Sequence, residues 1–103
     1  MNIIIFITAS SFAEAQKISE GLLKEKLIAC ANITREVKSF FWWEGKLDNA
    51  EEVLLILKSR RKLLPKIIKT VKSLHSYQVP EIIALPIIGG NKDYLQWVGD
   101  SIR

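Results

Sequence analysis

Apolar residues in this chain fall into several separate runs, each with its own period. Residues 3–8 (IIIFIT) form an unbroken apolar run rich in β-branched side chains, as expected of a central strand buried on both faces. Ser11 followed by Glu14 makes a capping box, and Ala15, Ile18 and Leu22 then recur at helical spacing, which predicts a helix to about residue 26. Gly21 weakens that helix and is expected to mark close packing on the sheet. From 29 to 43 the pattern is that of a strand. Ile33, Val37, Phe41 and Trp43 fall on one alternating face, and Phe40 and Trp42 on the other. Gly45 supplies a turn, and EVLLILK at 52–58 predicts the returning strand of a long hairpin.

Leu63, Leu64, Ile67, Ile68, Val71 and Leu74 then mark an amphipathic helix, which tolerates Pro65 only near its first turn and which His75 ends. A last strand is expected over 82–88, with Pro86 favouring an edge or a bulge. Asn91 can cap a short final helix carrying Tyr94, Leu95, Trp97 and Val98. The order β, α, β, β, α, β, α describes an α+β protein. Two split βαβ units with right-handed crossovers give a ferredoxin-like four-stranded antiparallel sheet, covered by helices on one face, with an extra C-terminal helix.

The composition adds a demand for assembly. At 103 residues the chain is a single domain that buries roughly two-thirds of its unfolded surface, yet 49% of its residues are hydrophobic, including three Trp, four Phe and two Tyr. An uncovered sheet face and the Phe40 and Trp42 side chains should not remain in water as one continuous patch, so subunits are expected to associate through that face or through the hairpin. The net charge of +4 is modest, and seven of its cations (Lys58, Arg60, Arg61, Lys62, Lys66, Lys69, Lys72) read chiefly as a solvated helix face. A single cysteine, Cys30, excludes an internal disulfide and suits a reducing compartment. Residues 3–7 lack a preceding basic segment and are far shorter than the roughly 20 residues of a membrane span. A cytoplasmic protein without a membrane partner is expected.

Six ordered motifs carry a family resemblance. They are LIACANI at 27–33, SFFWWEGK at 39–46, EEVLLILKS at 51–59, HSYQVPEIIALPI at 75–87 and NKDYLQW at 91–97, with Thr8 closing the first strand. Together they make the chain resemble the CutA family, the divalent-cation tolerance proteins, along nearly its whole length. The resemblance implies a homotrimer similar in plan to the PII-like signalling trimers, with the hairpin reaching across to a neighbouring subunit. It also implies a link to copper and other divalent ions, with copper as the tentative metal, and a binding or regulatory role rather than an enzymatic one. The chain departs from the family pattern at four places. Ile7 stands where some members carry a cysteine proposed as a copper ligand, so a thiol-rich site is not expected. Phe41 replaces a tyrosine, Ser76 a proline and Ser59 a threonine.

Three residues supply metal-binding chemistry. His75 offers an imidazole suited to Cu(II) or Zn(II), Cys30 a thiolate suited to Cu(I) or Zn(II), and Glu81 a carboxylate able to complete a borderline site. Only His75 and Glu81 are close in sequence, near enough to meet across a turn. Each has a plainer reading: Cys30 as a small buried side chain, His75 as an imidazolium at a helix C-terminus, and Glu81 as a salt-bridge partner of Lys58. Trp43, Lys58 and Tyr77, with His75 and Glu81, are expected to wall an intersubunit cleft, where a PII-like sensor would take a small anion or metabolite.

Two other uses of the fold are set aside. An RNA recognition motif needs stacking aromatics on its central strands, whereas NIIIFIT and EVLLILK offer aliphatics and one Phe, so no nucleic-acid partner is expected. An acylphosphatase needs an arginine in the loop after the first strand, and residues 8–11 contain none.

Overall fold

Four strands pair into one antiparallel sheet in the order β2-β3-β1-β4 in a computed structural model that describes residues 1–103. The elements are β1 (Asn2–Ala9), α1 (Phe12–Lys24), β2 (Cys30–Trp43), β3 (Lys46–Arg60), α2 (Leu64–Leu74), β4 (Ile82–Pro86) and α3 (Lys92–Ser101), with a 3-10 turn at Arg61–Leu63. This is the ferredoxin-like arrangement with its added helix. β1 is central, as its apolar run requires. β4 lies at an edge, where the missing N–H of Pro86 costs the sheet no hydrogen bond.

The core is one sheet face under two helices. Ile5 stands opposite Leu57 and Ile7 opposite Leu55, and these four side chains are fully buried beneath Ala15, Ile18 and Leu22 of α1 and Ile67 and Val71 of α2. Each of the larger ones contributes about 1.5–3 kcal/mol by leaving water. Gly21 does mark a close approach, but to a helix and not to the sheet: a Cβ there would lie 2.9 Å from Leu74 Cδ1, so α1 and α2 meet at this point. Pro65 sits in the first turn of α2, and Lys62, Lys66, Lys69 and Lys72 face solvent.

Helix ends follow local chemistry. Ser11 Oγ accepts the Glu14 N–H at 3.1 Å, but the reciprocal half of the capping box is shifted by one residue. Glu14 Oε1 takes the N–H and hydroxyl of Ser10, both at 3.1 Å. α1 stops at Lys24, two residues early. Lys26 adopts φ +55°, and the bonds Lys26 N–H to Leu23 O and Leu27 N–H to Leu22 O, each 3.0 Å, close a Schellman motif without a glycine. Buried Leu22 and Leu27 supply its hydrophobic contact.

The hairpin is longer than its pattern suggests and carries a bulge. β3 begins at Lys46 rather than 52, because Glu44 and Gly45 both take positive φ (+49° and +79°) and form a two-residue turn that lets the polar stretch after it pair fully with β2. A bulge interrupts β2: Thr34 pairs with Leu54 and Val37 with Glu52, so Arg35 and Glu36 together oppose Val53. Glu36 has φ +63°, and the Arg35 guanidinium lies over the Phe12 ring at 4.2 Å, tying the bulge to α1. The extra residue changes the face assignment. Ile33 lies on the core face with Leu55, whereas Val37, Phe41 and Trp43 lie with Glu52 on the opposite one.

That opposite face is covered at one end only. α3 packs there, with Tyr94 Oη 3.6 Å from Cys30 Sγ, Gly99 against the Arg60 guanidinium, and Val98 fully buried. Elsewhere Ile83 and Leu85 stay about half exposed, and Phe40, Trp42 and Leu47 project from the hairpin more than 70% exposed. The hairpin stretches the protomer to 44 × 25 × 23 Å, with a radius of gyration of 14.1 Å against about 13 Å for a compact chain of this length. Leu57→Ala, which empties a fully buried position on an inner strand, is expected to lower stability by about 2–5 kcal/mol in chemical denaturation at fixed protein concentration.

Candidate functional site

The site is built where β1 runs out and α2 hands the chain on to β4. His75 leaves the helix with φ −87° and ψ 140°, while its N–H still bonds the Val71 carbonyl at 2.9 Å. The imidazole turns toward β1, with Nε2 2.7 Å from the Thr8 carbonyl oxygen and Nδ1 3.1 Å from the Tyr77 N–H. A carbonyl can only accept and an amide N–H can only donate, so Nε2 carries the proton and Nδ1 offers its lone pair. The ring is a neutral imidazole, its side chain fully buried, with both nitrogens engaged inside the chain. Its role is therefore neither that of a free metal ligand nor that of an imidazolium facing the carbonyls of α2.

The carboxylate beside His75 is Glu14, not Glu81. Glu14 Oε1 lies 3.9 Å from Nδ1, and Oε2 accepts the Ser76 N–H at 2.9 Å. Burial pushes the Glu14 carboxyl up, but the hydrogen bonds from Ser76 and Ser10 outweigh it and hold the group below the ordinary carboxylate value. α1, β1 and the start of residues 76–81 are thus tied at one point.

Tyr77 carries the arrangement onward. Its ring is tilted against that of His75, with centroids 4.7 Å apart, and its hydroxyl donates to Glu52 Oε2 at 2.8 Å. Burial, the hydrogen bond to Glu52 and the charges of Glu52 and Glu14 push the phenol up to about 12. Between the hairpin and residues 76–81 opens a cleft of about 720 Å³. Thr8 and Glu52 lie at its floor, Phe41, Trp43 and Tyr77 form aromatic walls, and Asp48 and Glu81 add two more carboxyl groups. No Lys, Arg or His side chain lines it.

Of the residues expected from sequence, the structure brings Trp43, Tyr77 and Glu81 to this cleft, with His75 behind Tyr77. Cys30 and Lys58 are elsewhere. They pair with each other across β2 and β3, level with Ile4, whereas the cleft lies at Thr8, four residues or about 13 Å further along the sheet. Lys58 Nζ donates to Asn32 Oδ1 rather than to Glu81, and Cys30 faces Tyr94. Cys30, His75 and Glu81 therefore form no common site. No three His, Cys, Asp or Glu side chains of the protomer are grouped to hold a metal ion, so its residues do not fit a resident copper centre. Glu14 and Glu52, which organise the site, were readable only as a helix cap and as the start of a strand.

Comparison with known proteins decides the relationship. Residues 3–101 match the family model of the CutA1 divalent ion tolerance protein. The chain belongs to the CutA1 family. It is 44% identical over 103 residues to the divalent-cation tolerance protein CutA of Archaeoglobus fulgidus, with all of both chains covered. Against the chloroplastic protein CutA 1 of rice, identity is 42% over 102 residues, covering 99% of this chain and 58% of the relative, so the chain spans a little over half of that protein. The structure of the divalent cation tolerance protein from Thermus thermophilus superposes with a TM-score of 0.98 at 39% identity, with 100% of both chains covered. The CutA family resemblance carried by the six motifs and the ferredoxin-like fold expected from the order of elements are both borne out.

Two outcomes follow from the site's electrostatics. Because the folded Glu14 carboxyl titrates below its ordinary value of 4.5, its contribution to stability is full above that pH and is lost as pH falls through the lower folded value. The stability gap between wild type and Glu14→Gln should therefore be widest above pH 4.5 and shrink on acidification, as read by denaturation at a series of pH values. The chain has two tyrosines, and Tyr94 too is pushed up to about 12, by its hydrogen bond to Cys30, by burial and by the Cys30 charge. Tyrosinate absorbance of the folded protein should stay low through pH 10 and rise only near 12, whereas the unfolded chain titrates near 10.0.

Proposed function

We propose that this CutA1-family chain is a divalent-cation tolerance protein that works as a homotrimer and receives divalent cations in the cleft between the hairpin and residues 76–81. One observation carries the reading: in a chain of net charge +4, the cleft is lined by Asp48, Glu52 and Glu81 and by no cationic side chain. Such a surface draws a dication in and repels an anion. With no three-ligand cluster in one protomer, the ion is held through water or with donors from a neighbouring subunit, and copper is one candidate among the divalent metals. The relatives' shared description as tolerance proteins supports cation handling and a binding role rather than catalysis. The free thiol of Cys30 suits a reducing, cytoplasmic setting.

Assembly is supported by what one protomer leaves uncovered. Only 19 of 103 residues are buried, while Phe40, Trp42 and Leu47 on the hairpin and Ile83 and Leu85 on the sheet remain in water. A second reading, a PII-like sensor of a small metabolite, draws on the aromatic walls Phe41, Trp43 and Tyr77, which suit an organic ligand. An anionic ligand would need cations from another subunit.

The test is calorimetric titration of the intact protein with Cu(II), Zn(II) and Ni(II), with its mass under native conditions recorded alongside. A trimer is expected, with stoichiometric binding that Glu81→Ala and Glu52→Gln each weaken about tenfold, or ~1.4 kcal/mol. A monomer at micromolar concentration would sink the assembly. Metal affinity untouched by both substitutions would move the site out of the cleft.

A further inference from the structure

Glu52 is 8% exposed, and no Lys, Arg or His side chain pairs with it. Tyr77 donates its hydroxyl to Oε2, whereas Oε1 accepts from no donor of the protein, so one oxygen of a buried carboxylate is left unpartnered where Glu52 lines the cleft. The register of β3 puts a second carboxylate on the same face. Asp48 stands opposite Phe41 and Glu52 opposite Val37, and the strand runs between them without a bulge, so four residues separate them by about 13 Å. Ala50 lies midway on that face, and its small side chain leaves a shallow apolar floor between the two charges. Phe41, Trp43 and Tyr77 flank this strip as aromatic walls. Phe41 is 37% and Trp43 42% exposed, so part of each ring is open to a ligand.

We propose that the cleft binds an aliphatic polyamine, with its terminal ammonium groups held by Asp48 and Glu52 and its alkyl stem laid over Ala50 between the aromatic walls. The inference rests on the second reading of the cleft, as a site for an organic metabolite, and supplies that ligand's charge and length. Two carboxylates this far apart do not converge on a single small ion, but a linear molecule charged at both ends reaches both. Aromatic rings attract ammonium groups through their π faces and cover alkyl segments by apolar contact. A cavity of about 720 Å³ has room for a small organic molecule, and a lining without Lys, Arg or His gives an anion nothing to pair with. One ammonium group donates to the free Oε1 of Glu52, so the Tyr77 bond to Oε2 is kept. Glu81, on the segment across the cleft, offers a third carboxylate for an inner ammonium group.

The experiment is calorimetric titration of the full-length protein in its native assembly with spermidine, with putrescine as a diamine too short to reach both carboxylates, and with citrate as an organic anion. Spermidine should bind about tenfold more tightly than putrescine. Asp48→Asn and Glu52→Gln should each weaken spermidine about tenfold and narrow its advantage over putrescine. Glu52→Gln retains an oxygen to accept the Tyr77 hydroxyl, so its effect reports the lost charge. Glu20→Gln, at an exposed position of α1 outside the cleft, should leave the affinity unchanged. Equal affinity for the two amines, or spermidine binding that Asp48→Asn and Glu52→Gln weaken no more than Glu20→Gln does, would overturn the polyamine site. Citrate binding without spermidine binding would overturn it and leave the organic-ligand reading standing. Binding of neither would overturn both.

Discussion

A neutral, fully buried imidazole ties the end of the central strand to the turn after α2, two stretches far apart in sequence, and the geometry of the cleft depends on it. His75 gives its Nε2 proton to the Thr8 carbonyl at the end of β1 and takes the Tyr77 N–H on Nδ1, so the path of the chain after α2 is fixed relative to the central strand. Either partner left alone in that position would be a buried polar group without a bond, which costs about 1–3 kcal/mol. Glu14 reinforces the junction from α1 by holding Ser76. The arrangement explains why the chain's one histidine is a poor metal ligand: a ring whose two nitrogens are both committed to the backbone must give up one of those bonds before it can coordinate anything.

Charge is separated across the protomer. Between residues 53 and 80 there is no Asp or Glu and there are seven Lys or Arg, while Asp48, Glu52 and Glu81 gather around the cleft. Arg61 and Lys62 precede α2 and Lys66 lies in its first turn, with no acidic residue there and no side-chain cap. That placement opposes the helix dipole. α2 is held instead by burial of Ile67 and Val71 against the sheet and by its close contact with α1 at Gly21 and Leu74. Tertiary packing thus frees the surface charges from any duty to stabilise the helix that carries them.

The hairpin sets a second constraint. Its outer half lies beyond the helices, so its aromatic residues have no core of their own to enter, and the bulge at Arg35 and Glu36 sorts them. Phe41 and Trp43 lie on the Glu52 face and enter the cleft, whereas Phe40 and Trp42 lie on the other face and stay largely in water, Phe40 at the border of the cleft. One inserted residue therefore decides which of the four consecutive aromatics share the sheet face of Glu52. A core of this size leaves little margin, and covering these rings on assembly would add apolar burial that the lone protomer lacks.

The sequence by itself determined what depends on short-range periodicity: the seven regular elements and their order, the buried run of β1, the caps at Ser11 and Asn91, the tolerance of Pro65, and an ordered set of motifs specific enough to identify the family. It also pointed to His75, Tyr77, Trp43 and Glu81 as neighbours of one region, because three of them share a short segment. Only the tertiary structure decided the rest. The alternation of residues 33–43 gave no sign of a bulge, since Arg35 and Glu36 are as polar as any solvent-facing pair and their backbone shift appears only in the register with β3. The glycine-free end of α1 was hidden for a similar reason, because its left-handed residue is a lysine. Cys30 and Lys58 looked like candidates by residue type alone, but strand register places them about four residues along the sheet from the cleft. Glu14 and Glu52, 38 positions apart, enter the site only because α1 and β3 flank the same end of β1. Local pattern records which backbone conformations a segment prefers, whereas the partners of a buried polar group are set by the long-range pairing that brings distant segments to one place.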